Sequence, residues 1–277
     1  MGTGMAKQGQ WHVAGSAAEV YEHELVPAVF GPWASLVVEA ARPRPGDHAL
    51  DVACGTGIVA RHLAERVGAS GAVVGVDLNP GMLKVAEAAW STSAHPGVPV
   101  RWQEASADKL PFPDGSFDVA CCQLGLQFFA DRAGALRDMR RVLGADGRLA
   151  LMVWRAIDEC LGFAILADSL ERNVGPAAAA IMRAPFALSN ADELTALVTS
   201  AGFQDVAIER RVGSVRFPSI GTFVINYVAG SPLAGQISQT GEALGPLIAD
   251  LTSAFSNQTA GRELTFPITA HLLRARV

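Results

Sequence analysis

The sequence predicts an α/β fold built on a mostly parallel sheet with helices on both faces. Three observations carry this. From residue 48 to residue 154, short apolar runs alternate with helix-length segments of about ten residues, the pattern of strands joined by crossover helices. The runs 72–78 and 149–153 are apolar without alternation, as strands buried on both sides are. A glycine-bearing loop, Gly55-Thr56-Gly57, separates the first run from the first helix.

Residues 11–41 read as helical, because Val20, Leu25, Val29, Phe30, Leu36 and Val37 recur at roughly helical spacing. Breaks are expected near Pro27 and Pro32. Pro43 to Asp47 marks a turn. A strand over 48–54 then leads to a helix over 58–67, stopped by Gly68. A strand over 72–78 precedes a helix over 80–90 with Pro80 in its first turn. Strands follow over 100–105 and 117–124, then a helix over 132–143. Ala145-Asp146-Gly147 should turn the chain into a strand over 148–154.

The second half is less regular. Helices are expected over 162–173 and 192–201, the latter with Ser189 or Asn190 as cap and Gly202 as stop. A strand over 203–217 is either single or bent at Gly213. Helices over 221–227 and 242–255 precede a last strand over 263–277, with Leu264, Phe266 and Ile268 on one face. No repeat or long linker divides the chain. The reading is one domain over 1–277: an N-terminal helical lid over 1–41, a core over 42–217 and 261–277, and a helical insertion over 218–260.

Composition narrows the function. The chain has 277 residues, 50% hydrophobic and 18% charged, enough for a sizeable core and against global disorder. The 22 basic and 27 acidic residues leave a net charge of −5, which disfavours a broad phosphate-binding face. Arg137, Arg140 and Arg141 read as a solvated helix face. No basic patch with interleaved aromatics suggests nucleic acid as a partner. No apolar run of the ~18–20 residues that span a bilayer is seen, nor an apolar signal core in residues 1–10. A cytoplasmic protein is expected. Cys54, Cys121, Cys122 and Cys160 lack C-x-x-C spacing and read as small buried hydrophobes. The histidines show no metal-ligand spacing, so no metal is expected.

The chemistry concentrates on Asp51-Val52-Ala53-Cys54-Gly55-Thr56-Gly57. A strand running into glycines and then a helix offers a sharp turn and free amides to a ligand. Gly55-Thr56-Gly57-Ile58-Val59-Ala60 also satisfies the dinucleotide pattern G-x-G-x-x-A. Asp51 argues for a different ligand, since a carboxylate repels a pyrophosphate and attracts an ammonium. Asp77 closes the second strand, where a carboxylate can accept both ribose hydroxyls. A ligand with a ribose, a positive amino group and no phosphate fits S-adenosylmethionine. Asp51 keeps a second reading, as a cap of the following helix.

At this point the chain resembles the class I S-adenosylmethionine-dependent methyltransferases, in particular the ubiquinone/menaquinone biosynthesis C-methyltransferase group. The resemblance covers residues 47–154. It rests on Leu50 to Gly57, on Val76-Asp77-Leu78-Asn79 with Met82-Leu83, on Leu110 to Asp118, and on Arg141 to Gly147. It implies a Rossmann-like seven-stranded sheet whose last strand is antiparallel. It also implies residue roles. Asp51, Ala53, Cys54, Gly55 and Gly57 form the loop at the methionine end of the cofactor. Asp77 holds the ribose, Leu78 and Met82 flank the adenine, Ser106 and Ala107 lie at its edge, and Gln123 sits near the methyl. The family often carries Asp-Ala where this chain has Ser106-Ala107, which puts a weaker acceptor at the adenine amino group.

Methyl transfer from a sulfonium has a neutral leaving group, so alignment and desolvation supply most of the catalysis. A base is needed only where the acceptor must lose a proton. His12 and His23 are candidates, with a surface role as the alternative. Gln123 is the polar group expected nearest the methyl. Tyr21, Phe30, Trp33, Trp154 and Tyr227 are candidates for the acceptor pocket, and Phe186, Phe223 and Phe255 for an apolar wall or for plain packing. A small hydrophobic or aromatic acceptor is expected. The product would be S-adenosylhomocysteine. Three rival functions stand beside this one: an NAD-dependent oxidoreductase, a non-catalytic protein that binds S-adenosylmethionine, and a nucleic-acid methyltransferase, against which the missing basic patch argues. The sequence leaves the oligomeric state open, a homodimer among the options.

Overall fold

The computed structural model describes residues 16–92, 97–237, 243–255 and 263–277. Seven strands form one sheet: β1 His48–Val52, β2 Ala72–Asp77, β3 Val100–Glu104, β4 Phe117–Gln123, β5 Leu143–Trp154, β6 Gln204–Phe217 and β7 Leu264–Arg276. Their order is β3-β2-β1-β4-β5-β7-β6. Strands β1 to β5 pair parallel, and β7 lies antiparallel between β5 and β6. The expected fold class is therefore the observed one.

Side-chain alternation divides each central strand between two cores. Leu149, Leu151 and Val153 of β5 face one, while Ala150, Met152 and Trp154 face the other. Cys121 and Cys122 split the same way, and all four cysteines are buried. The core of Ala150, Met152 and Trp154 is covered by α2 Gly31–Ala41, α3 Ile58–Val67 and α6 Leu161–Asn173; that of Leu149, Leu151 and Val153 by α5 Arg132–Val142 and α8 Ala191–Ser200. Helix α4, Pro80–Ser91, packs on β2 and β3.

The local signals behind these helices hold. Gly57 and Gly68 flank α3, both with positive φ. The Asn79 side chain accepts the Gly81 N–H at the start of α4, and Pro80 opens the helix. Asn190, not Ser189, caps α8 by accepting the N–H groups of Asp192 and Glu193.

Four expectations change. First, the N-terminal segment does not break at its prolines. It runs helically from α1, Ser16–Val20, through a π-helical stretch Tyr21–Phe30 into α2. Pro27 has no N–H to donate, and the chain continues by widening, so that Gly31 N–H reaches Val26 O. Pro32 stands in the first turn of α2, where it is tolerated. By length and composition Ala17–Ala41 is also apolar enough to cross a membrane, which the reading of apolar runs overlooked. Much of that apolarity is spent on the core, for Leu25, Val29, Trp33, Ala34 and Val37 are all buried.

Second, residues 144–147 are drawn into β5 as an irregularity, not a separating turn: Leu143 pairs with Phe117, and pairing resumes between Arg148 and Val119. Third, of the two readings of 203–217 the single strand holds, and the bend is excluded: the irregularity of β6 lies between Gln204 and Ala207, not at Gly213. A Cβ on Gly213 would meet the Trp33 ring at 2.4 Å, so this glycine admits an indole. Fourth, a short helix α7, Pro176–Arg183, was not expected. Between β6 and β7 lie α9 Ile220–Ala229, α10 Ala234–Ile237 and α11 Leu244–Ala254. His12 and residues 238–242 and 256–262 lie outside the described residues.

Candidate functional site

The strand order reverses between β1 and β4, and the connections that follow these two strands lead to opposite edges of the sheet. Such a switch point opens a crevice at the carboxyl ends of the strands. A cavity of about 220 Å³ occupies it. The backbone around it is unusual for its residue types. Ala53 has φ 56°, Gly55 φ 54° and Leu124 φ 59°, left-handed values that cost a non-glycine residue energy and gather at functional sites. A Cβ placed on Gly55 would meet nothing within 4 Å, although the residue lines the cavity. Gly125 is needed for a different reason: its Cβ would strike Ala53 Cβ at 2.6 Å and Cys122 Sγ at 2.8 Å.

Asp77 holds this loop. Its Oδ2 accepts the Gly55 N–H at 2.8 Å and its Oδ1 accepts the Asn79 N–H at 2.9 Å. It thus ties the glycine loop to the start of α4 and still faces the cavity. Each carboxylate oxygen has two lone-pair positions, so ligand hydroxyls can be accepted as well.

Asp51 behaves otherwise. It is buried, does not line the cavity, and its Oδ2 accepts the Ala60 N–H of α3 at 2.9 Å. This is the helix-capping reading. Burial pushes its carboxyl up to about 8, with Asp77 adding to the shift and the Ala60 N–H and Arg61 opposing it.

Of the residues expected at a cofactor, Ala53, Gly55, Asp77, Leu78, Met82, Ser106, Ala107 and Gln123 line the cavity together. Cys54 and Gly57 do not. Cys54 Sγ sits 3.1 Å from where a Cβ on Gly75 would be, and a Cβ on Gly57 would meet Trp102 at 2.4 Å. Gly57 therefore serves the packing of an indole beneath the loop. The Ser106 hydroxyl bonds to the Asp108 carboxylate, which also lines the cavity.

Of the acceptor candidates, Tyr21, Phe30, Trp154 and Tyr227 line the cavity. Tyr21 and Phe30 stack with centroids 4.9 Å apart. Trp33 is buried behind Trp154, edge to face at 5.3 Å, and does not reach the cavity. His23 is exposed on the outer side of the π-helical stretch and is corrected to a surface residue. Phe186, Phe223 and Phe255 are buried in an aromatic cluster around Phe163 and Phe266, so their packing reading holds. Burial, with Asp77 nearby, holds the Tyr21 phenol well above its ordinary range, and burial does the same for Tyr227. Both remain protonated donors.

The N-terminal segment is bound to the site on two sides. Gln123 Nε2 donates to the Phe30 carbonyl at 3.0 Å. Arg61 bridges Glu22 at 2.7 Å and the Thr56 carbonyl at 2.8 Å. The sequence reading missed Asp108, Phe128, Phe129, Asp131 and Pro185, which line the cavity beside Gln127. For Asp131 a signal existed, because its side chain caps α5 through the Gly134 N–H. Among the described lining residues, Asp77, Asp108 and Asp131 are charged and no lysine, arginine or histidine appears. Nor do the described residues hold a cluster of three metal-ligating side chains.

Comparison with known proteins adds to this geometry. The model of the ubiE/COQ5 methyltransferase family matches residues 28–171. The chain is 41% identical over 120 residues to the ubiquinone/menaquinone biosynthesis C-methyltransferase UbiE of Ectopseudomonas mendocina, covering 43% of this chain and 46% of that one. It is 35% identical over 120 residues to a 2-phytyl-1,4-naphtoquinone methyltransferase of Trichormus variabilis, covering 43% and 52%. The chain thus spans about half the length of the curated relatives it matches. The solved structure of YcgJ from Bacillus subtilis has the same fold, with TM-score 0.57, 22% identity, and 88% and 97% of the two chains covered.

Proposed function

The chain belongs to the ubiE/COQ5 methyltransferase family, and on that premise we propose that it transfers a methyl group from S-adenosylmethionine to a small hydrophobic or aromatic molecule. The observation that carries this reading is the charge of the cavity. Its lining presents three carboxylates and no basic side chain. That field attracts a sulfonium and an ammonium and repels a pyrophosphate, which favours S-adenosylmethionine over NAD. Gly55 fits the cofactor too, with its left-handed backbone and open space where a Cβ would stand.

Bound there, the cofactor supplies an electrophilic methyl on sulfur. Asp77 accepts from the ribose hydroxyls while retaining its backbone partners. Leu78 and Met82 flank the adenine, and Ser106 with Asp108 takes its amino group. Tyr21, Phe30, Trp154 and Tyr227 exclude water and hold the acceptor in line. The protonated tyrosines orient the acceptor by donating hydrogen bonds and do not remove its proton. The names of the relatives point to a quinone-type ring, which aromatic walls suit by stacking.

The test is calorimetric titration with S-adenosylmethionine and with NAD, followed by a mass-shift screen of ring acceptors. Binding of S-adenosylmethionine and a product heavier by one methylene are expected. Binding of NAD alone would overturn the reading, and cofactor binding without any product would favour a non-catalytic role. Asp77→Ala should weaken cofactor binding by at least ~1.5 kcal/mol, the scale of a hydrogen bond to a charged group. Unchanged affinity would place the ribose elsewhere.

A further inference from the structure

Gln127 is 5% exposed, yet neither its amide oxygen nor its amide nitrogen has a hydrogen-bond partner. Buried amides are normally satisfied, so such a group asks for an explanation. Its position supplies one, because Gln127 lines the cavity at the end of β4. The turn that carries it is firmly held. Leu126–Phe128 is one 3₁₀ turn, Phe128 N–H donates to Gly125 O at 2.9 Å, and Arg132 donates to the Gln127 carbonyl at 2.9 Å. Four residues earlier, Gln123 spends its amide nitrogen on Phe30 and keeps a buried oxygen with no partner. The cavity lining thus offers one unused amide donor and two unused oxygens, all neutral.

From this we infer that Gln127 reads the acceptor: its amide donates to and accepts from a neutral polar group, with Gln123 Oε1 as a second oxygen. This rests on the methyltransferase reading and assigns the specificity of that same site. A hydroxyl matches the arrangement, since it is donor and acceptor at once. A carboxylate does not, because it offers no hydrogen to the two glutamine oxygens and meets the carboxylates of the lining. A bare hydrocarbon leaves all three groups unsatisfied. Sites built to bond a hydroxyl discriminate strongly against analogues that lack it.

The experiment uses three matched ring probes, 1-naphthol, naphthalene and 1-naphthoate, titrated into the full chain saturated with S-adenosylhomocysteine. We expect 1-naphthol to bind at least tenfold more tightly than either of the others. Gln127→Leu should reduce 1-naphthol to the level of naphthalene while the affinity for naphthalene and for S-adenosylhomocysteine stays unchanged; the latter also reports that the variant is folded. Gln127→Asn, one methylene shorter, should keep part of the preference. Equal affinity for 1-naphthol and naphthalene, tighter binding of 1-naphthoate, no 1-naphthol binding to the loaded protein, or an undiminished preference in Gln127→Leu overturns the inference. Failure of S-adenosylhomocysteine itself to bind instead sinks the methyltransferase reading, so the two failures are separable.

Discussion

Asp51 and Asp77 lie at or next to the ends of neighbouring strands and are put to different uses. Asp77 shapes the glycine loop and faces the cavity, whereas Asp51 is buried against the first turn of α3. The difference predicts a pH signature. The Asp51 carboxyl is raised from 3.8 to about 8 in the folded chain, chiefly by burial. Between those values the folded state holds a proton that the unfolded state releases. Its stability contribution is therefore complete below about pH 4 and is lost as pH rises through about 8. Asp51→Asn keeps an oxygen for the Ala60 N–H and carries no charge. In urea titrations of the ligand-free protein, the variant should gain on the wild type as pH rises from 5 to 8, by on the order of a few kcal/mol. Parallel pH profiles for the two proteins would refute the buried-charge account. The same residue shows a limit of sequence reading. The carboxylate was evident from its place before the loop, but its direction was set by α3 folding back over it.

At the level of elements, helices with local signals were readable nearly to the residue. The expected span of α3 matches Ile58–Val67, since a glycine stands at each end. The helix Pro176–Arg183 was not readable, because Pro-Ala-Ala-Ala-Ala carries almost no apolar periodicity. The role of Gly213 was not readable because its partner is distant in sequence: Trp33 of α2 lies over it, leaving no room for a Cβ. Gly213→Ala should accordingly destabilise the protein by about 1–3 kcal/mol, the usual cost of overpacking. Chemical denaturation monitored at tryptophan would measure it, and a change below ~0.5 kcal/mol would mean that Trp33 moves aside without strain. The cavity-lining glycine Gly55 offers the contrast, since a Cβ there would meet nothing within 4 Å.

For the whole molecule, the cavity joins parts that are far apart in the chain: the N-terminal π-helical stretch, the ends of β1 and β4, the turn at Pro185 and helix α9. Ligand binding must therefore stabilise the entire fold. With S-adenosylhomocysteine at about 100 times its Kd, stability should rise by about 2.7 kcal/mol. For a chain of this size that corresponds to a Tm increase of roughly 5 °C. NAD should leave Tm unchanged in the same scan, and an equal shift with NAD would contradict the charge argument.

The strands β1 to β5, the helices between them and the glycine loop with Asp77 were determined by the sequence alone, because strand and helix periods and glycine punctuation are local properties of the chain. Which side chains share the cavity was decided by the tertiary structure. Phe186, Phe223 and Phe255 close on one another in the core, His23 turns outward, and Gln127 comes to face the cavity with its amide unmatched. Those outcomes depend on which element lies opposite each residue, and packing across the chain settles that only once the sheet has brought its ends together.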